Sequence, residues 1–187
     1  MAKISGIELK NHRALEGKEG YGFSADIYLD EKKAGEVYDY ADGSIDYTFR
    51  FVSPEKEVKV TNTVTQYFKK NPSVDVGKIY ETPISDIDME HLPIMDMMDT
   101  CFELTVFFEK LADLTVKEQE FRKGIVDGYS QLVYIGYYSV AGIPTPKDSL
   151  YYCPTNFKTE NILKKAREQH KTAHMTVYRS LEDFVLI

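Results

Sequence analysis

Three carboxylates alternate along one short stretch, Asp86-x-Asp88-x-Glu90, a pattern suited to divalent cations. A calcium loop of the EF-hand kind opens this way, but it needs Gly at its sixth position and Glu at its twelfth. Counted from Asp86, those positions hold His91 and Met97, so the loop is not completed. A nuclease magnesium on the same carboxylates would need further acids delivered by the fold. His170 and His174 stand four apart, the separation at which two imidazoles on one helix face can share a metal. The helix expected there ends between them at Lys171-Thr172, and no third ligand is near in sequence. His12 and His91 are isolated. The sequence has no GxxxxGK[ST] phosphate loop, no GxGxxG and no HExxH. It has no GxSxG elbow either, since Gly128-Tyr129-Ser130 lacks the partner glycines. No catalytic residue, metal ligand or cofactor is therefore assigned.

Charge is the stronger signal. The 187 residues carry 23 Lys plus Arg and 30 Asp plus Glu, a formal net charge of −7. Residues 71–114 hold 2 bases and 10 acids, a net of −8, so one central segment accounts for the excess. Between Lys78 and Lys110 there is no Lys or Arg, while Glu81, Asp86, Asp88, Glu90, Asp96, Asp99, Glu103 and Glu109 all fall there. Such a surface repels phosphates and attracts basic grooves. The plain alternative is a solvated acidic face that aids solubility.

Tyrosine is the second signal: there are 14, with 10 Phe and no Trp. Tyr28, Tyr38 and Tyr40 share the outward parity of their strands, and Tyr134, Tyr137, Tyr138, Tyr151 and Tyr152 crowd the second half. Tyr suits interface cores, because it offers a large contact area and a polar tip at small entropic cost. Stacking on single-stranded nucleic acid is the other use of such rings, and it wants bases alongside. Residues 129–152 offer only Lys147, so direct nucleic-acid binding is not expected.

The elements that must position these groups read as follows. Residues 3–11 and 22–30 form strands; Phe23, Ala25, Ile27 and Leu29 alternate with polar neighbours at period two. Residues 34–40 and 45–51 continue the sheet through an Asp42-Gly43 hairpin. Ser53-Pro54 opens a helix as N-cap and first-turn proline, and Asn71-Pro72 ends it. Val60, Val64, Tyr67 and Phe68 turn one helix face to the sheet. A second helix is expected over 92–111, and a third from the Thr115/Glu118 capping box. Residues 131–140 (QLVYIGYYSV) are read as buried helix, 150–153 and 174–179 as strands, and 159–170 as helix. The fold class is α+β: an N-terminal antiparallel β-meander with one packed helix, then a mainly helical half with short C-terminal strands. The expected division is 1–72, an acidic linker 73–91, and 92–187 packed on the first part. No apolar run approaches the roughly 18 residues that cross a bilayer. With two cysteines, Cys101 and Cys153, and no secretory leader pattern, the expected location is cytoplasmic.

Residues 6–44 carry a resemblance. The first strand ends in Lys10-Asn11, followed by the loop Glu16-Gly17-Lys18-Glu19-Gly20, the strand Ala25–Leu29, the Lys32-Lys33 turn and the acidic hairpin Asp39–Gly43. This run resembles the N-terminal module of small phage and mobile-element proteins of Firmicutes. Size, acidity and that setting together resemble the anti-CRISPR inhibitors of type II RNA-guided nucleases. The resemblance implies a non-catalytic binding protein, not an enzyme, that blocks nucleic-acid binding or cleavage by a bacterial nuclease. Its contact residues would be Glu81, Asp86, Asp88, Glu90, Asp96, Asp99, Tyr38, Tyr40, Tyr137 and Tyr138, acting as a nucleic-acid mimic with aromatic anchors. An antirestriction or regulatory interaction protein, or a metal-dependent nuclease, are the alternatives. Exposed tyrosines and the apolar Phe184–Ile187 also fit a homodimer.

Overall fold

A computed structural model describes residues 1–18, 20–42, 47–71, 95–137, 149–153, 160–161, 164, 168 and 173–187. The chain divides into two compact units. The first comprises Met1–Val74, Met89–Thr115 and Val185–Ile187, and the second comprises Asp75–Asp88 and Val116–Phe184.

The first unit is built on a six-stranded mixed sheet. Its strands are β1 (Lys3–Ile4), β2 (Ile7–Gly17), β3 (Gly20–Leu29), β4 (Lys32–Asp39), β5 (Thr48–Phe51) and β9 (Val185–Leu186), in the order β5-β4-β3-β2-β1-β9. Neighbours are antiparallel except β1 and β9. Ser5-Gly6 and Asp30-Glu31 make the two tight turns with positive φ at both central residues (47° and 83°, 49° and 66°). That handedness matches the twist of the strands they join. β2 bulges between Lys10 and Arg13, where Asn11 takes φ 54°.

Two glycines let the chain cross itself. A Cβ at Gly22 would lie 2.0 Å from the carbonyl oxygen of Asp39, and one at Gly17 would lie 2.1 Å from that of Tyr40. Only a bare backbone at these points lets the end of β4 pass over the β2–β3 hairpin.

Helix α1 (Pro54–Lys70) forms as the sequence indicates. The Ser53 side chain accepts from Lys56 N, Glu55 and Glu57 occupy the first turn, and Lys69 and Lys70 the last, favourable to the helix dipole at both ends. Its Val60, Val64 and Tyr67 are buried with Ile4, Ile7, Leu9, Ile27 and Val37 of the sheet. The core is completed by α2 (Met95–Val126), whose residues Leu104–Phe108 are all buried. Five consecutive residues exceed one helical turn, so this stretch is enclosed on every side. Phe107 meets the Tyr67 ring edge-on at 5.4 Å, Phe108 lies 5.3 Å from Phe49, and Lys110 Nζ donates to Tyr67 Oη at 2.6 Å. Burying each such ring stabilises the unit by about 1.5–3 kcal/mol.

The structure departs from two expectations. The helices expected over 92–111 and from Thr115 are one helix of 32 residues. Thr115 does not cap: its Oγ1 donates to the Leu111 carbonyl at 2.7 Å, and Glu118 pairs with Arg122 four residues on. Nothing between Leu111 and Thr115 breaks a helix, so the backbone continues.

Residues 131–137 are a strand, not a helix. In the second unit β6 (Gln131–Tyr137) lies between β7 (Ser149–Cys153) and β8 (Ala173–Tyr178), antiparallel to both. A central strand buried on both faces is continuously apolar, so its periodicity resembles that of a buried helix. Lys117 lies over the Tyr134 ring at 3.4 Å. Phe184 is fully buried in the short 3-10 turn Leu181–Phe184. It stacks on Tyr178 at 4.4 Å and contacts Phe121 at 5.5 Å. Residues 160, 161, 164 and 168 are helical, within the expected 159–170 helix. The α+β class holds.

Candidate interaction surfaces

The acidic segment is described only at its C-terminal end. Glu81, Asp86, Asp88, Glu90 and Tyr138 lie outside the described residues. Asp96 and Asp99 fall in the first turns of α2, and Tyr137 ends β6. At about 100° per residue, positions 96, 99 and 103 share one side of the helix. Glu103, half-buried, accepts from Thr65 Oγ1 on α1 at 3.0 Å. Glu109 sits on an exposed face of α2. Partial desolvation, then the charges of Asp113 and Asp39, hold its carboxyl above the ordinary value. This is a locus of like charge that a cation or a basic partner would relieve.

Metal chemistry gains nothing from the described part. No group of three His, Cys, Asp or Glu among the described residues could hold a metal ion. His12 is used for packing: it stacks on Phe23 at 5.1 Å, and burial lowers its pKa. His174 is placed in β8, and His170 lies outside the described residues. A depression of about 380 Å³ between α1 and the β1–β2 turn is lined by Ser5, Asn62, Thr63, Gln66, Tyr67, Lys70 and Ile187. Among the described residues, Lys70 is the only charged side chain in that lining.

Strand pairing assembles a surface that linear reading missed. The face of β2–β5 opposite the core carries Tyr28 and Tyr38, which sit in cross-strand rows with Glu8, Lys33, Ser24, Arg13 and Thr48. Another row aligns Lys10, Asp26, Glu36 and Arg50. Lys33 Nζ lies 2.8 Å from both Asp26 and Glu36. Asn11 Nδ2 donates to Asp26 at 2.6 Å, and Tyr38 Oη donates to Glu36 at 2.5 Å. Lys33, then Asn11, lowers the Asp26 pKa. Lys33, then Tyr38, lowers that of Glu36. The Glu36 carboxylate in turn raises the Tyr38 phenol. Lys10 Nζ is 3.0 Å from Glu8 and 4.2 Å from the centre of the Tyr28 ring. Arg50 lies 5.0 Å over Tyr38, and Tyr38 stacks on Tyr40 with centroids 5.6 Å apart and planes 7° apart. Of the expected contact residues, Tyr38 and Tyr40 are thus brought together, within a network containing cations as well as acids. Alternation along β2–β5 signalled the outward parity, but only the register puts Arg13 and Arg50 beside the tyrosines.

Comparison with protein-family models, curated proteins and solved structures finds no match to the chain. No helix among the described residues is long and apolar enough to cross a membrane.

Proposed function

We propose that the chain is a non-catalytic binding protein that inhibits a bacterial type II RNA-guided nuclease by occupying its nucleic-acid channel. The observation that carries this reading is the charge distribution: residues 71–114 hold 10 acids against 2 bases, with no Lys or Arg between Lys78 and Lys110. Nucleases of this kind hold the guide–target heteroduplex in a positively charged channel that recognises backbone and shape. Carboxylates held on a helix present negative charge with less entropy to lose on binding than a flexible acidic tail. Helix α2 carries Asp96 and Asp99 in its first turns and is anchored by its buried Leu104–Phe108 stretch. The exposed Tyr40 beside Tyr38 supplies an aromatic anchor of the kind that dominates interface energetics.

The test is target-DNA binding and cleavage by a panel of guide-loaded type II nucleases with purified protein added. Loss of both activities at equimolar protein is expected for at least one nuclease. Replacing Asp86, Asp88 and Glu90 with Ala should weaken that inhibition. Undiminished cleavage and DNA binding across the panel at excess protein would overturn the reading.

A further inference from the structure

We infer that the outer face of β2–β5 binds single-stranded nucleic acid, with the Tyr38–Tyr40 stack receiving a base and Arg13 and Arg50 receiving phosphates. This does not depend on the nuclease reading; it concerns a different surface from the acidic segment and shares with that reading only the Tyr38–Tyr40 pair. The chain as a whole carries −7, yet Lys10, Arg13, Lys33 and Arg50 on this face, with Lys3 on the adjoining β1, outnumber Glu8, Asp26 and Glu36. All three acids are already engaged. Glu8 is held by Lys10 at 3.0 Å with Lys3 at 4.0 Å, Asp26 by Lys33 and Asn11, and Glu36 by Lys33 and Tyr38.

The lysines are spent on those contacts, so the surplus rests on two exposed arginines. Neither Arg13 nor Arg50 is ion-paired among the described residues. Arg13, Ser24, Tyr38 and Thr48 form one cross-strand row, and Arg50 stands two residues along β5. Three strand spacings separate β2 from β5, about 14 Å, a span that a short oligonucleotide covers. Tyr40 is 44% exposed and its ring is held parallel to Tyr38, a rigid platform at the edge of the cationic patch. An acidic peptide would use the arginines but leave the platform empty. A base uses both, and an unpaired strand offers bases that a duplex keeps in its own stack. The aromatic stretch 129–152 has only Lys147 alongside; on the sheet, the cations come from other strands.

The experiment is fluorescence anisotropy of labelled decathymidylate and decauridylate titrated with the full chain. Neutralising two phosphates gives a salt slope near −1.4, so affinity should fall roughly sevenfold between about 50 and about 200 mM salt. Arg13→Gln with Arg50→Gln should lower affinity at least tenfold, and Tyr40→Ala about fivefold or more. Lys59→Gln with Lys69→Gln on α1 makes the same charge change elsewhere and should leave affinity within about twofold. Circular dichroism confirms that each variant is folded; should the double arginine variant not fold, Tyr40→Ala against the α1 control decides. Absence of binding at the lowest salt overturns the inference. So do equal losses in the α1 control, an unchanged Tyr40→Ala affinity, or competition by polyglutamate as effective as by unlabelled oligonucleotide.

Discussion

Gly22→Ala is the smallest change with the largest expected consequence for the first unit. The new methyl carbon would sit 2.0 Å from the Asp39 carbonyl oxygen, 2.7 Å from its carbon and 3.1 Å from Ala41 N. A carbon and a carbonyl oxygen settle no closer than about 3.3 Å, so the end of β4 must retreat by roughly 1.3 Å. Every atom it meets is backbone, so no rotamer change relieves the contact. Overpacking of this kind costs about 1–3 kcal/mol. The retreat also strains the β3–β4 ladder at its last pair, Phe23 and Asp39, where each lost hydrogen bond adds roughly 0.5–1.5 kcal/mol. A total of about 2–4 kcal/mol lowers the folding equilibrium roughly 30- to 700-fold. Urea unfolding followed by circular dichroism measures it, with Ser24→Ala on the same strand as a control expected within about 0.5 kcal/mol. Tyr40 follows the displaced backbone, so near-ultraviolet dichroism of the Tyr38–Tyr40 stack should change as well. A Gly22→Ala midpoint indistinguishable from the parent would show that β4 does not cross the hairpin as described.

Two further outcomes follow from local geometry. Glu31, exposed at φ 66° in the β3–β4 turn, should stabilise the protein by about 0.5–1 kcal/mol when replaced by Gly, read as a higher urea midpoint. Glu109→Gln should stabilise at neutral pH, because desolvation and the charges of Asp113 and Asp39 penalise its ionised form. A folded pKa above the unfolded one means that the penalty is complete above the folded pKa. It disappears below the unfolded one, so the Gln advantage should fade as pH falls through that window. A constant advantage from pH 7 to below the ordinary Glu value would contradict the electrostatic cause.

The elements best legible in the sequence were those with local chemical punctuation. Ser53-Pro54 and Asn71 bounded α1 because caps act within a few residues, and Phe23, Ala25, Ile27 and Leu29 marked β3 because alternation is a one-strand property. The strand 131–137 was missed because Leu132 and Val133, adjacent and both buried, break the alternation that would identify it. The continuity of α2 was missed because Thr115 and Glu118 have the residue types of a capping box, while tertiary burial of Thr115 turns its hydroxyl to Leu111. The acidic segment was fully legible as composition. The Arg13–Tyr38–Arg50 arrangement was not, since it exists only through the register of four strands and a bulge at Asn11–His12. Tyr40 could be read as exposed, but its parallel stacking on Tyr38 required the turn of the chain over Gly17 and Gly22.

Calorimetric titration of the protein into a guide-loaded nuclease, with and without bound target DNA, tests the channel-blocking claim most directly. Saturable equimolar binding to the DNA-free complex, abolished by prior DNA loading and weakened by added salt, is the predicted result. Equal binding in the presence of target DNA, or no binding to any guide-loaded complex, would contradict it.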